Sequence, residues 1–140
     1  MPGLTFASQS LPGVTVISVA GEVDATNARQ LDAYLRQSGH LPGEHVVIDL
    51  SEVRFLSSAG LRVLLNTHAF ARQHGGCLHL GAPHPVLVRI LETTQAQSVL
   101  RVHVTVEQAV VAALTEAQVS RLRPRQEVGA EVARTTGTPA

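Results

Sequence analysis

The 140-residue sequence contains no lysine, so all eleven of its basic side chains are arginines. No mechanism follows from that absence. The scarcity of cysteine excludes more: Cys77 stands alone, no internal disulfide can form, and a reducing compartment is the expected setting. Eleven acidic residues balance the arginines, so no global field steers the chain toward nucleic acid or an anionic lipid surface. No apolar run approaches transmembrane length, and the first residues lack the basic and apolar regions of a secretion signal. These absences leave a soluble cytoplasmic protein as the expectation. A chain of this length has room for one domain that buries roughly two-thirds of the surface of its unfolded state.

What is present is organised around His45 to Leu65, HVVIDLSEVRFLSSAGLRVLL. Val46, Val47 and Ile48 are consecutive β-branched residues without helical gaps, the pattern of a central strand over His45 to Leu50. After Phe55 and Leu56 come Ser57-Ser58-Ala59-Gly60, and then Leu61, Leu64 and Leu65 recur at helical spacing. The serines therefore begin a helix. A hydroxyl there can cap free backbone N–H groups, and negative charge on it would be favoured by those donors and by the helix dipole. On spacing alone, capping is the simpler role for Ser57 and Ser58.

Before that stretch, Leu4 to Ser10 and Val14 to Ala20 read as strands joined at Pro12-Gly13, an opening hairpin. Asp24, Thr26 and Asn27 compete as N-caps for a helix with Ala28, Leu31 and Leu35 on one stripe and Gly39 as its stop. After it, the helix from about Ser58 ends at Gly75-Gly76, and Cys77 to Leu80 reads as a short strand. Pro83 and Pro85 bracket a third helix start, with Val86, Ile90 and Leu91 as its candidate stripe. A last strand over Arg101 to Val104 and a last helix over Val106 to Leu114 complete a ββαβαβαβα order. That order implies an α/β fold with a mixed, mostly parallel sheet and right-handed crossovers. The domain is expected over 1–116, and the arginine-, proline- and glycine-bearing tail over 117–140 to be disordered or weakly helical.

Several sharper readings weigh little. The seven histidines, His40, His45, His68, His74, His79, His84 and His103, include no pair at i, i+4 and have no cysteine pair to assist, so no metal site is expected. Arg121 to Arg125 form a brief cluster without interleaved aromatics, a solvated tail rather than a nucleic-acid surface. A serine at a strand-to-helix junction could be a hydrolase nucleophile, with His79 or His103 as base. Leu56 stands where the nucleophile elbow requires its first glycine, which argues against an enzyme.

Taken together, Gly21-Glu22-Val23-Asp24, Asp49-Leu50-Ser51 and Phe55-Leu56-Ser57-Ser58-Ala59-Gly60-Leu61 resemble, in order and spacing, the STAS-domain anti-sigma factor antagonists. Ala82-Pro83-His84-Pro85 and Val106-Glu107-Gln108-Ala109 are similar to that family's later helix starts, so the resemblance spans about Leu4 to Leu114. It implies a single STAS domain that binds an anti-sigma factor and frees a sigma factor. Phosphorylation of one serine by a kinase, commonly the anti-sigma factor itself, would reverse that binding, and a phosphatase would restore it. The family motif, Asp-Ser-Ser-Gly or Asp-Ser-Ala-Gly, maps its phosphoacceptor onto Ser58, with Ser57 as a second candidate. By the same resemblance the partner surface would consist of Asp24, Thr26, Asn27, Ser57, Ser58, Ala59, Gly60 and Arg62. No cofactor, metal, membrane or direct nucleic-acid contact is implied, and a weak homodimer stays open. Ser57 departs from the family's aspartate. Without that carboxylate, a constitutive STAS scaffold, in a signalling assembly or a lipid transporter, is the alternative.

Overall fold

A computed structural model describes residues 3–38 and 43–122. Gly39, the expected helix stop, and residues 123–140 of the expected tail lie outside the described residues. The elements are β1 (Thr5–Leu11), β2 (Val14–Val23), α1 (Ala28–Gln37), β3 (His45–Leu56), α2 (Ser58–Gln73), β4 (Leu78–Gly81), α3 (Pro85–Thr93), β5 (Arg101–His103) and α4 (Val106–Leu122). They form one five-stranded sheet in the order β1-β2-β3-β4-β5. β1 and β2 pair antiparallel across the Pro12-Gly13 turn, where Gly13 takes φ +74°. The remaining pairs are parallel.

Because the parallel strands advance in one direction, successive right-handed crossovers put α1, α2 and α3 on the same face. That face holds the large apolar core, including Ile17, Leu31, Leu35, Ile48, Leu64, Leu80, Leu87 and Leu91. α4 folds back over the other face, where Ala109, Ala113 and Ala117 meet Val14 and Val47. Strand alternation separates the two sets: Val46 and Ile48 point into the first layer, Val47 into the second.

The largest departures from the sequence reading are in β2, β3, α3 and α4, and β2 runs three residues past Ala20 to Val23. β3 continues past Leu50 to Leu56, still pairing with β2 through two register irregularities, and keeps Val53 and Leu56 buried. The intervening Ser51, Glu52 and Arg54 hide this continuation in the sequence. In α3 the buried stripe is Leu87 and Leu91, whereas Val86 is 55% exposed. α4 extends to Leu122, beyond Leu114 and across the expected domain boundary at 116, because Ala117 prolongs its alanine stripe against the sheet. The turn after α3 places Gln95 in the left-handed region at φ +62°, a helix stop made without glycine.

Candidate functional site

β2 leaves the sheet at Val23 into a tightly bonded turn. The Asp24 carboxylate accepts bonds from the Thr26 backbone N–H (2.9 Å) and hydroxyl (2.6 Å), and the Asp24 N–H donates to Asn27 Oδ1 (2.9 Å). Asn27 Nδ2 donates to the Glu22 carbonyl at 2.9 Å. The three rival caps of α1 thus interlock before the helix. Asn27 occupies the cap position without a side-chain cap bond, and the Asp24 carbonyl accepts from Ala28 N–H at 3.0 Å. The Thr26 hydroxyl, with backbone donors, holds the Asp24 carboxyl below its ordinary range.

The start of α2 is tied to this turn by a bond from Ser57 N–H to the Val23 carbonyl, 2.8 Å. Ser57 is the N-cap of α2, its Oγ accepting from Gly60 N–H at 3.2 Å. Ser58 is the first helical residue and is exposed. The adjacent serines therefore divide the two roles that spacing left open: Ser57 caps and Ser58 is presented. Gly60 is required by close packing. A Cβ there would lie 2.6 Å from Val23 Cγ1 and 2.7 Å from Leu56 Cδ1.

Ser58, Ala59 and Arg62 line a shallow cavity of about 330 Å³ together with Ala28, Arg29 and Asp32 of α1. Asp24, Thr26, Asn27, Ser57 and Gly60 do not line it; they lie in the β2–α1 turn and at the start of α2. A second cavity, about 440 Å³, continues the α1–α2 seam past Asp32 and Asn66 to the half-exposed Phe70. Sequence reasoning missed Arg29 and Asp32, which no motif marks; only the pairing of α1 with α2 brings them beside Ser58.

It also missed a cluster on the other face of the sheet. His45, His79, Arg101 and His103 share the strand parity of Val47 and lie beneath α4, which contributes Glu116. Glu116 Oε1 is 3.2 Å from His79 Nε2 and 3.5 Å from His45 Nδ1, while Oε2 pairs with Arg101. His79 Nδ1 and His103 Nε2 are 3.1 Å apart. Burial first, then the charges of His103 and Arg101, pushes the His79 pKa down to about 3, and burial likewise lowers His45 and His103. His79 and His103 thus lie across the sheet from Ser58 and form no catalytic relay with it. Among the described residues no histidine lines the Ser58 cavity.

The order of elements and the position of this cavity can be set against known proteins. A family model described as the STAS domain matches residues 5–109. The chain belongs to the STAS domain family. Its STAS region takes in every strand, α1 to α3 and the beginning of α4. BtrV of Bordetella bronchiseptica, described as an anti-sigma factor antagonist, is 32% identical over 99 residues, covering 71% of this chain and 85% of BtrV. The crystal structure of an anti-sigma factor antagonist from Mycobacterium paratuberculosis matches with a TM-score of 0.72 at 28% identity, covering 80% of this chain and 95% of that one. The murine anion transporter Slc26a9 shares the STAS fold alone, with a TM-score of 0.65 at 15% identity, covering 76% of this chain and 18% of the transporter. Among the described residues, no helix is long and apolar enough to cross a membrane.

Proposed function

We propose that this STAS chain is an anti-sigma factor antagonist whose partner docks on the α1–α2 seam around the N-terminus of α2, and whose binding is reversed by phosphorylation of Ser58. The observation that carries this reading is the exposed Ser58 hydroxyl on the first residue of α2, beside a cavity it shares with Arg29 and Arg62. The descriptions of BtrV and of the Mycobacterium protein support the antagonist role. The partner is an anti-sigma factor acting as a serine kinase, and a phosphatase returns the binding form.

The energetics favour a switch in binding over a change of fold. A phosphate adds about −1.5 to −2 charge, and a helix N-terminus stabilises such charge by roughly 0.3 to 2 kcal/mol. The domain keeps its structure. At a docked surface, a dianion stripped of water and not met by a cation costs several kcal/mol, and about 1.4 kcal/mol is tenfold in affinity. Arg29 and Arg62, lining the same cavity, would be drawn to the phosphate and withdrawn from a partner. Ser57 fits this scheme in one respect: serine caps a helix about as well as aspartate, so the cap survives while a charge beside Ser58 is lost.

The test is incubation of the chain with its anti-sigma factor and ATP, followed by intact mass and fragmentation. One phosphate located on Ser58, absent from Ser58→Ala, is the expected result. Absence of phosphate under every condition in which the two proteins bind would sink the switch and favour a constitutive scaffold, the reading for which Ser57 in place of aspartate speaks.

A further inference from the structure

We propose that His45, His79 and Glu116 form a binding site for a zinc-class divalent transition metal between the sheet and α4, separate from the surface around Ser58. The three residues offer one ligand atom each, and those atoms all lie within 4.8 Å of one another. A tetrahedral ion with ligand distances of 2.0 to 2.1 Å has edges of about 3.3 Å between its ligand atoms. The separations of Glu116 Oε1 from His79 Nε2, 3.2 Å, and from His45 Nδ1, 3.5 Å, match such edges. Two imidazoles and one carboxylate are a zinc donor set that leaves a fourth position open.

Two further observations point to a ligand. His45 is 4% exposed, and neither of its ring nitrogens makes a hydrogen bond. Burying an imidazole without hydrogen bonds is costly; the nearest carboxylate oxygen to Nδ1 stands at 3.5 Å, and an ion between them would satisfy that nitrogen. The surroundings also resemble the outer shell of a metal centre. His103 meets the remote nitrogen of His79 at 3.1 Å; with His79 Nδ1–H as the donor in that contact, Nε2 is free to ligate. Arg101 holds Oε2 of Glu116, so that Oε1 faces the imidazoles. The Arg101 charge works against a dication, which sets the affinity below that of a closed four-ligand site. Glu116 is 34% exposed, and an ion enters beside it. Once bound, the ion would staple α4 to β3 and β4.

The experiment is titration of the untagged full-length chain with Zn²⁺, by calorimetry and thermal unfolding, in excess Mg²⁺. One equivalent bound, with a rise in Tm that grows with Zn²⁺ concentration, is expected. Glu116→Gln should weaken binding at least tenfold while its metal-free Tm still reports a folded domain. His45→Asn, which leaves the partly exposed α4 carboxylate in place, should do the same. Co²⁺ should give the visible bands of a tetrahedral nitrogen and oxygen site without a thiolate charge-transfer band. Failure of Zn²⁺ to bind, wild-type affinity retained in Glu116→Gln and in His45→Asn, or loss of binding in Cys77→Ser instead would each overturn the proposal.

Discussion

The two faces of the sheet are built on opposite terms. Under α1, α2 and α3, mostly leucine, isoleucine and valine side chains form one continuous apolar cluster. Under α4 the fully buried contact is made by three alanines and two valines, edged by the partly buried Leu11, Val16, Val110 and Leu114, and beside them the sheet turns polar with three histidines and Arg101. The first face supplies the stability that lets the start of α2 be held rigidly. The second brings the helix close with small side chains, and titratable groups share the layer with a smaller hydrocarbon cluster. The two proposed sites follow the same division: the proposed switch surface lies on the helices of the well-packed face, and the proposed ion site in the thin, polar layer.

The comparison predicts unequal costs. Leu64→Ala, at the centre of the first face, should lower the free energy of unfolding by about 2 to 5 kcal/mol in denaturant titration. Ala113→Gly on the second face removes one methyl group and adds backbone freedom, and should cost about 1 to 2 kcal/mol. Equal losses would mean that the faces are energetically alike and would break the comparison.

Gly60→Ala joins the two levels, since its new Cβ must displace Val23 or Leu56 under the cap of α2. Overpacking of this kind costs about 1 to 3 kcal/mol, and partner affinity should fall with it. Binding left intact by a destabilised Gly60→Ala would separate the partner surface from the α2 start. Smaller again is Ser57→Ala, which deletes the cap at about 1 kcal/mol, whereas Ser57→Asp should retain stability and alter only partner or kinase recognition. An affinity and a phosphorylation rate unchanged in Ser57→Asp would count against any role for the missing family carboxylate.

The smallest effect is one of pH. His68 on α2 is buried, its Nδ1 accepting the Leu78 N–H at 3.4 Å, and burial followed by the charge of Arg72 lowers its pKa. A lowered histidine pKa means that the unfolded chain binds the proton more readily. Its contribution is therefore complete above the ordinary value near 6.5 and is lost as pH falls below it. His68→Gln, which keeps an acceptor but cannot titrate, should flatten the acid limb of a stability–pH curve. An unchanged slope would show that the proton is taken up elsewhere.

Much of this architecture can be read from residue patterns. The β-branched run at Val46 to Ile48, the hairpin at Pro12-Gly13 and the caps before α2 each announce their element locally, and together they order the sheet. The Ser57 cap was legible for the same reason, being decided by neighbours within a few positions, whereas the tight fit of Gly60 depends on Val23, far away in the sequence. The end of β3 was not, because polar Ser51, Glu52 and Arg54 conceal a strand held by pairing with β2. α4 was read short because an alanine stripe carries little hydrophobic contrast. Hardest to see was the histidine cluster. His45, His79 and Glu116 are brought together by strand register and by α4 folding back over the sheet, and no local spacing encodes that meeting. Arg29 is hidden similarly, since its place beside Ser58 depends on how α1 packs against α2.

The claim that Ser58 controls docking on the α1–α2 seam is tested most directly by the affinity of the anti-sigma factor for the unmodified chain and for the chain phosphorylated at Ser58, measured side by side at one salt concentration. The account predicts a loss of at least tenfold on phosphorylation, with the Tm of the antagonist nearly unchanged. Equal affinities for the two forms would contradict it.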